Sequence, residues 1–227
     1  MATLSEENYL KAIWKLAPDP DAGVSTGEIA AEVKTSAASV TDMLKKLAAR
    51  KLITYQPYHG VSLTVQGQRL AADVVRRHRL WEVFLHEKLG FGWEEVHDIA
   101  EQLEHIHSEA LTDRLDRFLG FPKTDPHGDR IPDKTGKISG PSAVPLSVFN
   151  DGEYGIISGV INHAPSFLLF LEKHGLKPGA AIEMKERMEF DDSMNIRVNG
   201  KKTMTLSRDA SSSILVIRKG KKQNRKS

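Results

Sequence analysis

The chain has 227 residues, with 32 Lys and Arg against 30 Asp and Glu, 40% hydrophobic residues and no cysteine. The hydrophobic content is that of a globular protein and excludes wholesale disorder. The absence of cysteine excludes a disulfide framework, a thiolate metal site and a cysteine nucleophile. No apolar run approaches the ~18 residues of a membrane span, and the N-terminus lacks the basic-then-apolar pattern of a signal peptide. We therefore expect a cytoplasmic protein with no membrane partner.

Helical spacing of apolar residues predicts three helices in the first third of the chain. The first follows Ser5, the second is capped by Ser25, and the third begins at Ser36 or Ser39. Two short segments with β-branched residues, 52–55 and 61–64, then predict a hairpin with its tip at 56–60. Three helices followed by a two-stranded wing are typical of a winged helix-turn-helix.

The middle of the chain is predicted to be helical, and the end rich in β-strands. A helix is expected from residue 66 towards 89, then one long helix or two between 93 and 119. A segment rich in proline and glycine, 122–145, reads as an irregular linker. After it, five short β runs and one apolar helix, 166–174, predict a small β-barrel.

Charge is distributed unevenly along the chain. Between residues 82 and 133, 13 acidic residues stand against five Lys and Arg, and five of the nine histidines lie there. After residue 216 there are six Lys and Arg and no acid. An acidic, histidine-rich segment favours cations, and basic segments favour nucleic acid.

A group of carboxylates and imidazoles in the acidic segment has the spacing of a metal site. Residues at i, i+4, i+7 and i+8 share one helix face, and the preceding helix offers a second pair at i and i+4. Oxygen and nitrogen donors without thiolate suit manganese, iron(II) or zinc rather than copper(I). The plainer alternative is a solvated helix face. The six residues are His78, Glu82, His97, Glu101, Glu104 and His105.

The third predicted helix and the wing are candidates for contact with double-stranded DNA. Small and hydroxylated residues at the start of a helix let its amides approach phosphates closely, and lysines follow on the same helix. An ordinary helical hairpin with a β-turn is the alternative. The candidate DNA-binding residues are Thr26, Ser36, Ala37, Ala38, Ser39, Thr41, Lys45, Lys46, Tyr58 and His59.

At these residues the sequence resembles the diphtheria-toxin-repressor family of metal-dependent transcriptional repressors, and more closely its manganese-responsive branch. The resemblance covers nearly the whole chain. The motifs that carry it are Glu7-Asn8-Tyr9-Leu10-Lys11-Ala12-Ile13, Arg77-His78-Arg79-Leu80-x-Glu82, Val96-His97-Asp98-x-Ala100-Glu101-x-x-Glu104-His105 and Asp125-Pro126-His127-Gly128.

The resemblance implies a homodimer that binds palindromic operator DNA when divalent metal is bound and represses metal-uptake genes, with no small-molecule substrate. It implies a multidomain protein, mainly α with β: a winged helix-turn-helix, a helical dimerisation and metal-binding domain, and an SH3-like barrel. We place these domains at 1–65, 66–137 and 138–218, with a basic disordered tail at 219–227.

The resemblance also implies roles for individual residues. Glu101, Glu104 and His105 match core metal ligands, and His78 matches a ligand of the same or a neighbouring site. Iron-responsive members have Cys where Glu101 stands, so manganese is expected, with iron(II) or zinc as alternatives. Glu82 and His97 match ancillary ligands, and Asn8 occupies a ligand position that relatives usually fill with Asp or Met. Asp125 and His127 match a pair that binds an extra metal in some relatives. His163 falls where the barrel domain of other relatives reaches towards the metal site.

Two other functions remain open from the residues. A metallohydrolase would also use a Glu and His cluster, although no separate base or oxyanion donor is evident. A DNA-binding protein could instead hold its metals in a purely structural role. We therefore predict a regulator rather than an enzyme, with the metallohydrolase as the alternative.

Overall fold

The computed structural model describes residues 2–17, 23–56 and 60–221. These residues form two compact units that alternate along the chain. The first unit contains Met1–Trp81, Ala100–Gly120 and Ile131–Ile138, and the second contains Glu82–Ile99, Phe121–Arg130 and Ser139–Ser227. No helix within the described ranges is both long enough and apolar enough to cross a membrane.

The first unit begins with a winged helix-turn-helix. Thr3 caps the first helix through a capping box with Glu6, so the predicted cap at Ser5 is wrong. Ser25 caps the second helix as predicted, and Ser36, one of the two candidates, caps the third. The elements are α1 (Leu4–Leu16), α2 (Thr26–Glu32), α3 (Ala37–Ala49), β1 (Ile53–Gln56) and β2 (Gly60–Leu63).

One apolar core joins these elements. The two strands pair antiparallel from Ile53 with Leu63 to Gln56 with Gly60, and Val24 bonds to Val61 beside them. The buried side chains come from one face of each helix and from the hairpin, and they include Tyr9, Leu10, Ile13, Ile29, Val40, Leu44, Leu47, Leu52, Ile53 and Val61. The opposite face of α3 is therefore left to solvent.

The helical middle consists of α4 (Val65–Leu89), α5 (Val96–Leu103) and α6 (Glu109–Phe118). The region predicted as one long helix or two is thus two, since α5 ends at Leu103 and Ser108 caps α6. Both α4 and α5 contribute residues to each of the two units.

The β-rich part of the second unit is a six-stranded antiparallel sheet. Its core includes Trp93, Phe149, Leu168 and Leu171. A short 3-10 helix, Leu146–Val148, follows the first of these strands. The elements are β3 (Val144–Pro145), β4 (Glu153–Val160), α7 (Pro165–His174), β5 (Ala181–Arg187), β6 (Met194–Val198), β7 (Lys202–Leu206), α8 (Arg208–Ser212) and β8 (Ile214–Lys221). The order of the strands in the sheet is β3-β8-β4-β5-β6-β7.

The predicted tail is partly ordered. A disordered end was expected from residue 219, but β8 continues to Lys221, where its backbone pairs with Glu153. Residues 222–227 lie outside the described part of the chain, and so do Tyr58 and His59 of the predicted wing tip. The proposed ends of the three domains, at residues 65, 137 and 218, remain predictions from the sequence.

Candidate metal centre and nucleic-acid interface

Helix α1 supplies three polar side chains to a cluster in the first unit. Glu7, Asn8 and Lys11 lie within one helical turn of each other, while the core residues Leu10 and Ile13 lie between and beyond them. The Oδ1 atom of Asn8 is buried and has no hydrogen-bond partner among the described residues. A buried acceptor without a donor is costly, and a cation is one group that would satisfy it.

The ammonium group of Lys11 lies at the middle of this cluster. Its Nζ atom is 2.5 Å from Oε1 of Glu101, 2.6 Å from Oε2 of Glu104 and 3.2 Å from Nδ1 of His78. The Glu101 side chain is 37% exposed, whereas that of Glu104 is fully buried. Two carboxylates and an imidazole thus converge on one positive charge.

Glu104 and His105 lie in the turn after α5 and not on the helix itself. The predicted helix face with four ligands is therefore interrupted, although the Glu104 amide still donates to the Ala100 carbonyl at 2.9 Å. The turn points Oε2 of Glu104 at Nδ1 of His78, 2.6 Å away, and leaves Oε1 3.7 Å from Nε2 of His105. Oε1 is buried and has no hydrogen-bond partner within the described ranges.

A buried network centred on Glu7 supports His105. Glu7 lies 2.7 Å from Nδ1 of His105 and 3.0 Å from Nη2 of Arg77. Arg77 also donates to the carboxylate of Asp73 and to the main-chain carbonyl of Glu104. A carboxylate at Nδ1 makes that nitrogen the donor, so Nε2 of His105 is the atom left for a metal ion.

A second cluster lies within the second unit. Glu82, Asp125 and His127 each place one ligand atom within 4.8 Å of the others, and all three are buried. His97 joins them through Nδ1, 3.3 Å from Oε1 of Glu82. The Oδ1 atom of Asp125 accepts from the His127 amide at 2.8 Å, which fixes the loop that carries both residues.

The surroundings of His127 favour positive charge. Burial alone lowers its pKa, but the carboxylates of Glu82 and Asp125 and the carbonyl of Trp93 outweigh that effect and raise the pKa to about 9. Nε2 lies 2.6 Å from the Trp93 carbonyl, and Nδ1 lies 3.6 Å from Oε2 of Glu82. The ring of His163 stacks on that of His127 with 4.7 Å between centroids.

The candidate DNA-binding residues that the structure describes share an exposed surface. Val40, Leu44 and Leu47 turn one face of α3 to the core, and the other face is open. The Thr41 hydroxyl donates to the Ala37 carbonyl at 2.9 Å, and Lys45 forms an exposed ion pair with Asp42. The exposed residues of this face are Ser36, Ala37, Ala38, Ser39, Thr41, Lys45 and Lys46, with Thr26 half-buried at the start of α2.

The predicted ligands thus occur in two groups, one in each unit. In the first unit, His78, Glu101 and Glu104 contact Lys11, His105 lies beside Glu104, and Asn8 lies on the same helix as Lys11. In the second unit, Glu82, His97, Asp125 and His127 meet, with His163 beside them. The sequence reasoning overlooked Glu7 and Lys11. Lys11 lies three residues after Asn8 and four after Glu7 on α1, and this helical spacing is the signal that could have found Glu7 and Lys11.

The fold and these clusters define a winged-helix protein with carboxylate and histidine sites. Three family models match consecutive parts of the chain. The iron dependent repressor N-terminal DNA binding domain matches residues 1–61, the iron dependent repressor metal binding and dimerisation domain matches 64–133, and the FeoA domain matches 144–218.

Individual relatives agree with the family models. The iron-dependent repressor IdeR of Mycobacterium leprae is 33% identical over 139 residues, which cover 60% of this chain but only 59% of that protein. The HTH-type transcriptional regulator MntR of Oceanobacillus iheyensis is 32% identical over 55% of this chain and 84% of its own length. The solved structure of a manganese-dependent transcriptional repressor in complex with manganese is 34% identical, with a TM-score of 0.85 over 94% of this chain and 99% of that one.

The chain belongs to the iron-dependent repressor family, which includes the diphtheria toxin repressor. This family consists of DNA-binding repressors, so the predicted regulator and the predicted fold class with an SH3-like C-terminal domain are confirmed. The metallohydrolase alternative has no support from these relatives.

Proposed function

We propose that this protein is a manganese-dependent repressor. As a homodimer in the cytoplasm, it binds palindromic operator DNA when the metal is bound, and it represses metal-uptake genes. The observation that carries the proposal is the oxygen-rich donor set of Asn8, Glu101 and Glu104, in a chain that has no cysteine. Carboxylate and carbonyl oxygens suit manganese, whereas thiolates would favour softer ions.

The residues of the first unit fit a divalent cation. Two buried acceptors, Oδ1 of Asn8 and Oε1 of Glu104, lack a hydrogen-bond partner within the described ranges, and Nε2 of His105 lies 3.7 Å from the latter. These three groups would hold the ion together with the carboxylate of Glu101, and a bound ion would supply the positive charge that they lack. Solved relatives carry manganese, zinc or cadmium, which supports a divalent ion as the class of effector.

The second cluster would hold a further ion through Glu82, Asp125 and His127. Its support is that all three ligand atoms lie within 4.8 Å of each other in a buried position. His97 and His163 are the additional donors that we assign to this site. Iron(II) and zinc remain the alternative effectors for either cluster.

A bound metal ion would change the DNA affinity of the protein through α1, because this helix belongs to the winged helix and also carries Asn8. An ion held jointly by Asn8 and by Glu104, which follows α5, ties the DNA-binding elements to the helical middle. The gain in DNA-binding free energy equals the difference in metal-binding free energy between the conformation that can bind DNA and the one that cannot. Such a coupling is typically worth ~1–3 kcal/mol.

The test is a selection of random DNA duplexes by the full-length protein, once with MnCl₂ and once with EDTA. We expect a two-fold symmetric motif to be enriched only with manganese, and sedimentation of the protein to give a dimer. Equal enrichment in EDTA would show that any metal is structural, and no enrichment in either condition would contradict DNA binding altogether. Repeating the selection with iron(II) and zinc identifies the effector.

A further inference from the structure

Lys11 holds a position within the cluster that a cation would take. Its ammonium is surrounded by Oε1 of Glu101, Oε2 of Glu104 and Nδ1 of His78, at 2.5, 2.6 and 3.2 Å. The geometry points to Lys11 as a built-in cation that replaces a second metal ion, so that this centre binds one ion beside the ammonium. The inference rests on the proposed function, because it assumes that the same carboxylates bind metal.

Glu104 divides the cluster into two halves. Its Oε2 atom faces Lys11, whereas its Oε1 atom is buried, has no hydrogen-bond partner in the described part of the chain and lies 3.7 Å from Nε2 of His105. The buried Oδ1 of Asn8 also lacks a partner there. Lys11 therefore satisfies one half of the cluster and leaves the donors of the other half for a metal ion.

The charge balance favours one divalent ion over two. Lys11, Glu101 and Glu104 together carry a net charge of −1, and one divalent ion raises this to +1. Two divalent ions without the ammonium would raise it to +2, and the neutral side chain of Asn8 offers no compensation. Two divalent ions a few ångströms apart also repel each other more strongly than an ion and an ammonium do.

The attachment of Lys11 to α1 keeps the ammonium in place. Its side chain is 15% exposed, and the helix that carries it is held by the buried residues Leu10 and Ile13. A tethered group acts at a high effective concentration, so it competes well with a dissolved ion for the same carboxylates. Lys11 thereby determines how many ions this centre binds.

The experiment counts manganese ions bound to the full-length protein, by the EPR signal of free Mn(II) during a titration. We compare the wild type with Lys11→Met, with Lys11→Gln, which keeps a hydrogen-bond donor, and with the control Lys15→Met. Lys15 lies one turn further along α1 and pairs with Glu32 at the surface. We expect each Lys11 variant to bind one more ion per chain than the wild type, and Lys15→Met to bind the wild-type number.

Three outcomes would overturn the inference. An unchanged count in both Lys11 variants shows that no ion takes the place of the ammonium. Tighter binding at an unchanged count shows that metal displaces Lys11 in the wild type. A wild-type protein that binds no manganese defeats the proposed function as well, whereas the first two results leave that function intact.

Thermal unfolding gives a second readout that does not depend on counting ions. In EDTA, Lys11→Met should unfold at a lower temperature than the wild type, because fully buried Glu104 loses its counter-ion. Excess MnCl₂ should close that difference, since an ion replaces the lost charge. A difference that persists in excess manganese would mean that Lys11 is only structural, and the inference would fail.

Discussion

Replacing Glu7 with glutamine tests whether the buried network beneath His105 supports metal binding. Glu7 lies 3.0 Å from Arg77 and 2.7 Å from Nδ1 of His105, and all three side chains are largely buried. Removing one partner of a buried ion pair costs about 3–5 kcal/mol. Since Arg77 keeps Asp73 and the glutamine amide still accepts a hydrogen bond, we expect about 3 kcal/mol. At roughly 2–4 °C per kcal/mol, the melting temperature in EDTA should fall by about 6–12 °C.

The same substitution should weaken manganese binding. Glu7 orients His105 and increases the basicity of its ring, and loss of such a supporting carboxylate typically lowers metal affinity about 10- to 100-fold. The assays are thermal unfolding in EDTA and an EPR titration with MnCl₂. The control is Glu6→Gln, because Glu6 pairs with Arg50, which is 39% exposed, and glutamine preserves its capping contact with Thr3. A melting temperature no lower than that of the control, or an unchanged manganese affinity, would refute the reasoning.

Three further predictions concern the ligand set, the fold and the DNA interface. Glu101→Ala should abolish manganese-dependent DNA binding in fluorescence anisotropy yet keep a folded circular dichroism spectrum, because its half-exposed carboxylate serves the centre more than the core. Gly128→Ala should destabilise the protein by at least about 3 kcal/mol in chemical unfolding, because φ at Gly128 is +89° and a Cβ atom would lie 1.8 Å from the Ser158 carbonyl oxygen. The control Gly152→Ala, at φ +78° with open space around the added methyl group, should cost about 1 kcal/mol. DNA affinity should fall with salt at a log–log slope of about −0.9 per phosphate contacted, and Lys46→Ala should reduce that slope by about one unit.

Each of these expectations has a contradicting result. Wild-type manganese dependence in Glu101→Ala would remove it from the ligand set. Equal stabilities of the two glycine variants would show that the loop at Gly128 yields to the added methyl group. A salt slope that Lys46→Ala leaves unchanged would place the phosphate contacts elsewhere on the protein.

Helical periodicity made most of the fold predictable. The apolar spacing of Leu10 and Ile13 in α1, and of Val40, Leu44 and Leu47 in α3, is strong enough to predict both helices. By contrast, α8 has five residues and β3 two, which is too short for any period to be recognised. The sequence therefore predicts long elements well and short ones poorly.

A local rule explains one boundary error, and contacts between residues remote in sequence explain the other. Ser5 and Thr3 both resemble a helix cap, but a capping box needs Glu or Gln three residues later, and only Thr3 has one, at Glu6. The end of α5 at Leu103 has no such local signal. There, Glu104 contacts Lys11 and His78, which are remote in sequence, and these contacts define where the turn points its side chain.

The candidate ligands were predictable as residue types, whereas their partners were not. The sequence spacing selects Glu101, Glu104 and His105 as candidate ligands. It contains no information about the Lys11 ammonium that contacts the two carboxylates. Lys11 is 93 residues away from Glu104. Tertiary packing alone brings such groups together, and a lysine on an exposed helix pattern reads from sequence as a solvated charge.

The two-sided character of α1 has a consequence for the order in which repressor molecules lose their metal. One side of this rigid helix is fixed in the core of the winged helix by Leu10 and Ile13, and the other bears Asn8 and Lys11 within the metal cluster. Coupling between two ligands is reciprocal, so DNA must tighten metal binding by the same factor by which metal tightens DNA binding. With the proposed function, a repressor on its operator retains its ion at a lower free metal concentration than one in solution. When metal becomes scarce, free molecules empty first, and the bound promoters are released last.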